Sequence, residues 1–139
     1  EVGLPSWLEE WRAAGRLVGP VTRQAAMRAY VLHSVNQLAT ARAAAMADGG
    51  APGPEGSIAK LRGVAAFKAR AYLGKNLEGA AGMLSDSPGH LEFLTAPSMS
   101  IRGGTDEVQR NIVGERVLGL PGEPRVDKGV AYSELKKSC

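Results

Sequence analysis

Two long alanine-rich stretches flank the run from Asp48 to Gly56, DGGAPGPEG, and this arrangement constrains the chain more than any other feature. Four glycines and two prolines in so short a run forbid a continuous helix, so it reads as a connector. Before it, Pro20 is placed to open a helix, and Ala25, Ala29, Leu32, Ala39, Ala43 and Met46 recur at helical spacing as far as Ala47. A second stripe of Met27, Val31, Leu38 and Ala45 lies beside the first. The apolar face is therefore wide, and a helix of roughly 40 Å by its rise per residue is expected to be covered on two sides. Tyr30 and His33 lie within it, and His33 reads as a hydrogen-bonded structural residue rather than a ligand.

After the connector, Ser57 is expected to cap a second long helix with Ile58, Leu61, Ala65, Ala69, Tyr72 and Ala80 on one face. Lys60, Lys68, Arg70 and Lys75 fall mostly elsewhere and read as a solvated face. Gly63 and Gly74 weaken that helix by about 1 kcal/mol each relative to alanine, which points to close backbone packing. Long helices joined by a short connector lie antiparallel. The fold class is all-α, an up-down helical bundle.

At 139 residues the chain is expected to form one domain over 1–121, followed by an extended tail over 122–139. Aromatics make up only 5%, and strand-type runs are missing. The 17 basic and 14 acidic residues are scattered, so the net charge of +3 describes a solvated surface and no nucleic-acid partner is expected. Cys139 stands alone, which excludes an internal disulfide and offers no metal spacing. With no long apolar run and an acidic rather than basic start, no membrane insertion or export is expected, and the location reads as cytoplasmic.

Near the start, Ser6 and Glu9 have capping-box spacing, and Trp7, Leu8, Trp11 and Ala14 share a face before Gly15, which makes a short first helix with two tryptophans available for packing. Gly79-Ala80-Ala81-Gly82 is expected to end the third helix, and residues from Ser85 to Ser100 read as irregular apart from a patch at Leu91, Phe93 and Leu94. The stretch from Pro97 to Gly119, PSMSIRGGTDEVQRNIVGERVLG, is a diglycine turn opening into a helix. Thr105 is a good N-cap, and the first-turn N–H groups of that helix favour an anion. Asp106 and Glu107 suit the macrodipole there and read as capping residues, with Val108, Ile112 and Val113 as the buried side and a stop at Gly119 and Pro121. No residue from Ser98 to Thr105 is a carboxylate, a histidine or a cysteine, so the turn offers binding groups without a proton acceptor.

The sequence SIRGGTDEVQRNIVGERVLGLPGEPR resembles the signature near the C-terminus of acyl-CoA dehydrogenases, and PGPEGSIAK followed by a long helix ending in GAAG is similar to the actinobacterial type of these flavoenzymes. The resemblance covers about Gly15 to Leu135. It implies the C-terminal helical domain of that family, whose complete members add an N-terminal helical domain and a β middle domain, so the start is expected to be truncated upstream. The implied activity is α,β-dehydrogenation of an acyl-CoA thioester: a glutamate removes the α proton while the β hydrogen leaves as hydride to FAD. In many members that glutamate immediately precedes the Gly-Thr pair. Gly103 stands there in this chain, so the chain brings no catalytic residue of its own to the turn, and the fragment alone is expected to be inactive. Other members place the base on the first helix of this domain. The resemblance also implies that Thr105 and Glu107 contact FAD, and that Gly79 and Gly82, with Asn76 near a position where glutamine is common, contact the FAD of a partner subunit. Acyl-CoA is the implied substrate of the parent, and a homo- or hetero-oligomer, dimer or tetramer, the implied assembly. The alternative is a base-less scaffold subunit of a hetero-oligomeric acyl-CoA dehydrogenase; actinobacterial relatives acting on sterol side-chain thioesters pair two different subunits.

Overall fold

The structure is a computed structural model and describes residues 3–47, 53–87, 89–122, 124 and 129–131. Five α-helices run in the order α1 (Ser6–Ala13), α2 (Pro20–Met46), α3 (Glu55–Leu77), α4 (His90–Thr95) and α5 (Asp106–Ile112), and no strand occurs among the described residues. Short 3-10 segments cover Gly79–Met83 and Ala96–Ser100, and a π-helical turn covers Val113–Val117. The all-α expectation holds. The central part of the connector, residues 48–52, lies outside the described residues, as do most of the tail over 122–139 and Cys139.

α2 and α3 form the main pair. Ala29 near the start of α2 packs in one cluster with Leu73 near the end of α3, and Asn36 faces Gly63, so the two helices run antiparallel. The core consists of Leu8, Ala26, Ala29 and Leu73, with Trp7, Trp11, Leu17, Tyr30, Ala69 and Leu77 packed around it. Ala29 is 0% exposed, so a side chain larger than methyl would separate the helices. α1 closes onto this end. Its chain reverses at Gly15, φ +64°, where Arg16 N–H bonds Trp11 O at 2.9 Å and Gly15 N–H bonds Arg12 O at 3.1 Å, the paired bonds of a Schellman ending. The Trp7 and Trp11 rings meet edge to face at 5.0 Å, and His33 meets Trp7 at 6.2 Å, so the observed contact of this histidine is a ring contact rather than the expected hydrogen bond.

Several local expectations are corrected. Ser6 is the first residue of α1 and makes no cap; Pro5 O instead accepts from Leu8 N–H at 2.9 Å and from Glu9 N–H at 3.2 Å. α3 begins at Glu55, so Ser57 lies buried inside the first turn rather than capping it. The buried residues of α3 are Ser57, Val64, Ala66, Ala71 and Leu73, while Tyr72 is exposed and Ala80 falls beyond the helix. Gly74 is approached by the Trp11 ring, 3.2 Å from where a Cβ would stand, not by backbone. Met27, Val31, Leu38 and Met46 are all more than half exposed, so among the described residues α2 is covered on one side, not two. Val108 is also exposed.

Residues 85–100 are more helical than expected, because α4 and the 3-10 segment after it fill most of the stretch. Each has only five or six residues, too few for periodicity to register, and they are held by contacts with α3. Arg70 Nη2 donates to Glu92 Oε1 at 2.8 Å, the Tyr72 and Phe93 rings meet at 5.6 Å, and Ala96 is 0% exposed.

Candidate functional site

The diglycine turn forms as the sequence implies. Gly103 and Gly104 adopt φ +64° and +90°, a region closed to most side chains, and the backbone enters α5 through Thr105. Thr105 Oγ1 accepts from Val108 N–H at 3.2 Å, which makes it the N-cap and leaves its hydroxyl proton available to an outside acceptor. Gln109 Nε2 donates to the Gly103 carbonyl at 2.9 Å and braces the bend from inside. Glu107 is exposed and meets Arg110 Nη1 at 3.4 Å one turn on.

Asp106 does not cap its own helix. Its carboxylate accepts from Lys60 Nζ at 2.6 Å and from Ser100 Oγ at 2.7 Å, tying the start of α5 to α3 and to the preceding 3-10 segment. The Lys60 ammonium, and next the Ser100 hydroxyl, hold its carboxyl below the usual carboxylate value. The sequence carried no signal for these partners, since Lys60 and Lys68 read as part of a solvated face.

A second set of candidates sits beyond the far end of α3. Asn76, Gly79 and Gly82 line an open cleft of about 550 Å³, together with Lys75, His90 and Phe93. The volume lies within the roughly 300–1,000 Å³ of small-molecule sites. Gly79 adopts φ +57°, and a Cβ there would meet nothing within 4 Å, so its conformation rather than space requires glycine. At Gly82 space decides, because a Cβ would stand 2.7 Å from the Lys75 carbonyl oxygen. Lys75 Nζ lies over the Phe93 ring at 5.6 Å and donates to Ser87 Oγ at 3.3 Å. Among the described residues no carboxylate lines the cleft, so its cation and amide suit an anionic group. Lys75 and His90 were not anticipated; His90 itself and the Lys75 partners Ser87 and Phe93 lie in the stretch read as largely irregular.

The structure thus brings Asn76, Gly79 and Gly82 together and places Thr105 and Glu107 elsewhere. Asp106 touches Lys60, and from Lys60 to Leu77 α3 rises about 25 Å at 1.5 Å per residue. No group of three or more metal-ligating side chains occurs among the described residues, and no helix there is long and apolar enough to cross a membrane.

The described residues thus form an antiparallel α-helical module with a glycine-shaped polar turn at one end of its central helix and an open cleft at the other. Residues 6–118 match the family described as Acyl-CoA dehydrogenase, C-terminal domain, and the chain belongs to that family. It is similar to the acyl-CoA dehydrogenase FadE34 of Mycobacterium tuberculosis, 35% identical over 96 residues, covering 68% of this chain and 13% of the relative. It is also similar to the acyl-CoA dehydrogenase IpdE1 of Mycolicibacterium smegmatis, 32% identical over 112 residues, covering 78% of this chain and 25% of the relative. The chain therefore spans a quarter or less of the length of these two relatives. No solved structure matches it.

Proposed function

We propose that this chain is the FAD-binding and oligomerisation module of an acyl-CoA dehydrogenase, and that its two sets of candidate residues are half-sites for two different flavins. Thr105 and Glu107 serve the flavin of their own subunit, and Asn76, Gly79 and Gly82 serve the flavin of a partner. The observation that carries this reading is the separation of the two sets by about 25 Å of α3.

The residues fit the cofactor chemically. Thr105 keeps a hydroxyl proton to donate, the exposed Glu107 carboxylate accepts from a ring N–H, and the space around Gly103 and Gly79 admits a ligand against bare backbone. Bound FAD supplies the hydride acceptor for α,β-dehydrogenation of an acyl-CoA by the parent protein. This chain's part is to hold and orient. At Gly103 there is no side chain to take the α proton, so the base comes from another helix or another subunit.

A mixing experiment tests the reading. Thr105→Ala and Asn76→Leu variants each lose most of the flavin absorbance that the unmodified protein carries. Refolded together, they recover about a quarter of the sites, because random pairing builds one site in four from two intact halves. A mixture that holds no more flavin than either variant alone refutes the shared site. Turnover of an acyl-CoA by the 139-residue chain with FAD and an electron acceptor would overturn the assignment of a base-less turn.

A further inference from the structure

Four side chains from three elements meet beneath the diglycine turn, none of them among the cofactor candidates. Lys60 Nζ donates to Asp106 Oδ1 at 2.6 Å and reaches the Ser100 carbonyl at 3.5 Å. Ser100 Oγ donates to Asp106 Oδ2 at 2.7 Å and accepts from Lys68 Nζ at 2.6 Å. Each carboxylate oxygen therefore has its own donor, and the one proton of the Ser100 hydroxyl is directed to the aspartate by the ammonium behind it.

We propose that Lys60, Ser100 and Lys68 are positioning residues for the turn, acting through Asp106 to fix where Thr105 and Glu107 stand. This rests on the reading that the turn faces the flavin. The argument starts from the backbone. Two consecutive glycines at positive φ make a bend with unusual freedom, and residues 101–104 are exposed, so burial does not hold it. The bond between Ser100 and Asp106 closes a ring across the bend from its first flank to its last. Lys60 then bolts that ring to α3, with the Lys60 and Asp106 side chains only 19% and 14% exposed. Lys68 lies two helical turns farther along α3 and pins the Ser100 side of the ring, so the turn is held at two points about 12 Å apart on one rigid rod. Thr105 and Glu107 flank Asp106 directly and inherit its position. Lys60 meets the carboxylate directly and Lys68 reaches it only through the Ser100 hydroxyl, so the geometry rests on hydrogen-bond direction as well as charge.

The experiment uses Lys60→Met, Ser100→Ala and Lys60→Arg in the 139-residue chain, with helicity checked by circular dichroism. The first readout is the set of Gly103, Gly104 and Thr105 amide resonances without ligand; the second is the Kd for FAD. Lys60→Met and Ser100→Ala move those resonances and weaken FAD roughly tenfold, the factor that a lost charge-assisted hydrogen bond brings. Lys60→Arg, which keeps the charge and a donor, restores both. Unmoved turn resonances in a folded Lys60→Met or Ser100→Ala chain overturn the proposal, and so does unchanged FAD affinity in those variants when the unmodified chain binds FAD. If the unmodified chain binds no FAD but the resonances move, the positioning stands and the flavin reading falls.

Discussion

Replacing the two glycines of the turn one at a time separates backbone strain from crowding. At Gly103, φ +64°, an added Cβ meets nothing within 4 Å, so Gly103→Ala carries only the left-handed penalty of about 1–2 kcal/mol. Part of it is offset by the ~0.4–1 kcal/mol that alanine removes from the entropy of the unfolded chain, which leaves a net loss near 1 kcal/mol. Gly104 stands at φ +90°, farther from the left-handed minimum, and a Cβ there would lie 2.6 Å from Gln109 Nε2. The Gln109 amide must swing away and give up its 2.9 Å bond to the Gly103 carbonyl, which adds about 1 kcal/mol. Gly104→Ala is therefore expected to destabilise by roughly 2 kcal/mol or more, about twice as much as Gly103→Ala. Urea unfolding followed by circular dichroism and tryptophan fluorescence measures both. In a Gln109→Ala background the excess at Gly104 should shrink by about 1 kcal/mol, because the clash and the bond are both gone and only the difference in φ remains. Equal losses at the two positions, or an excess unchanged by removal of Gln109, would refute the reasoning.

Two further outcomes follow from the packing and the charges. The Asp106 carboxyl titrates below its unfolded value of 3.8, so its contribution to stability is present above that pH and is lost as pH falls below it; Asp106→Asn should flatten acid unfolding in this window, read from urea midpoints between neutral and acid pH. Ala29→Leu overpacks the contact between α2 and α3 and should destabilise by about 1–3 kcal/mol, whereas the exposed Ala41→Leu should stay within about 0.5 kcal/mol, both by thermal unfolding.

The fold was legible where the signal is long or stereochemically sharp. Helix α2 shows in a 27-residue apolar pattern opened by Pro20, and the diglycine turn with its Thr105 cap shows because glycine and threonine are favoured there for local backbone reasons. Helices α4 and the flanking 3-10 segments were not legible, since six residues or fewer carry less than two turns of periodicity and depend on α3 for their stability. Periodicity also misplaced the burial on α3: it selected Ala65 and Tyr72, which are exposed, whereas the residues on either side of each, Val64 and Ala66, Ala71 and Leu73, are buried. Alanines throughout this stretch make neighbouring faces nearly equivalent in sequence. At the site, the two sets of candidates were readable through the family resemblance, but the side chains around them, Lys60 under the turn and Lys75 and His90 in the cleft, were not, because their placement depends on how residues 89–106 lie along α3.

That path is set by the cations that read as solvent-facing. Lys60 meets Asp106, Lys68 meets Ser100, Arg70 meets Glu92, and Lys75 meets Ser87 and the Phe93 ring. As the number on α3 rises from 60 to 75, the number of the partner falls from 106 to 87, so the later segment runs back along α3 antiparallel to it. Each of these partly buried pairings contributes on the order of 1 kcal/mol, too little to explain the fold by strength. Their order matters more: a one-turn slip of the segment along α3 would break every pairing at once, so together they fix a register that each alone would leave loose. The two ends of this seam are the two candidate half-sites, with Lys60 under the turn and Lys75 in the wall of the cleft. Their separation is therefore held by the helix and by the seam rather than by either site. A change at the Arg70–Glu92 pair in the middle, 2.8 Å apart and partly exposed, should leave both sites in place, because the pairings on either side preserve the register.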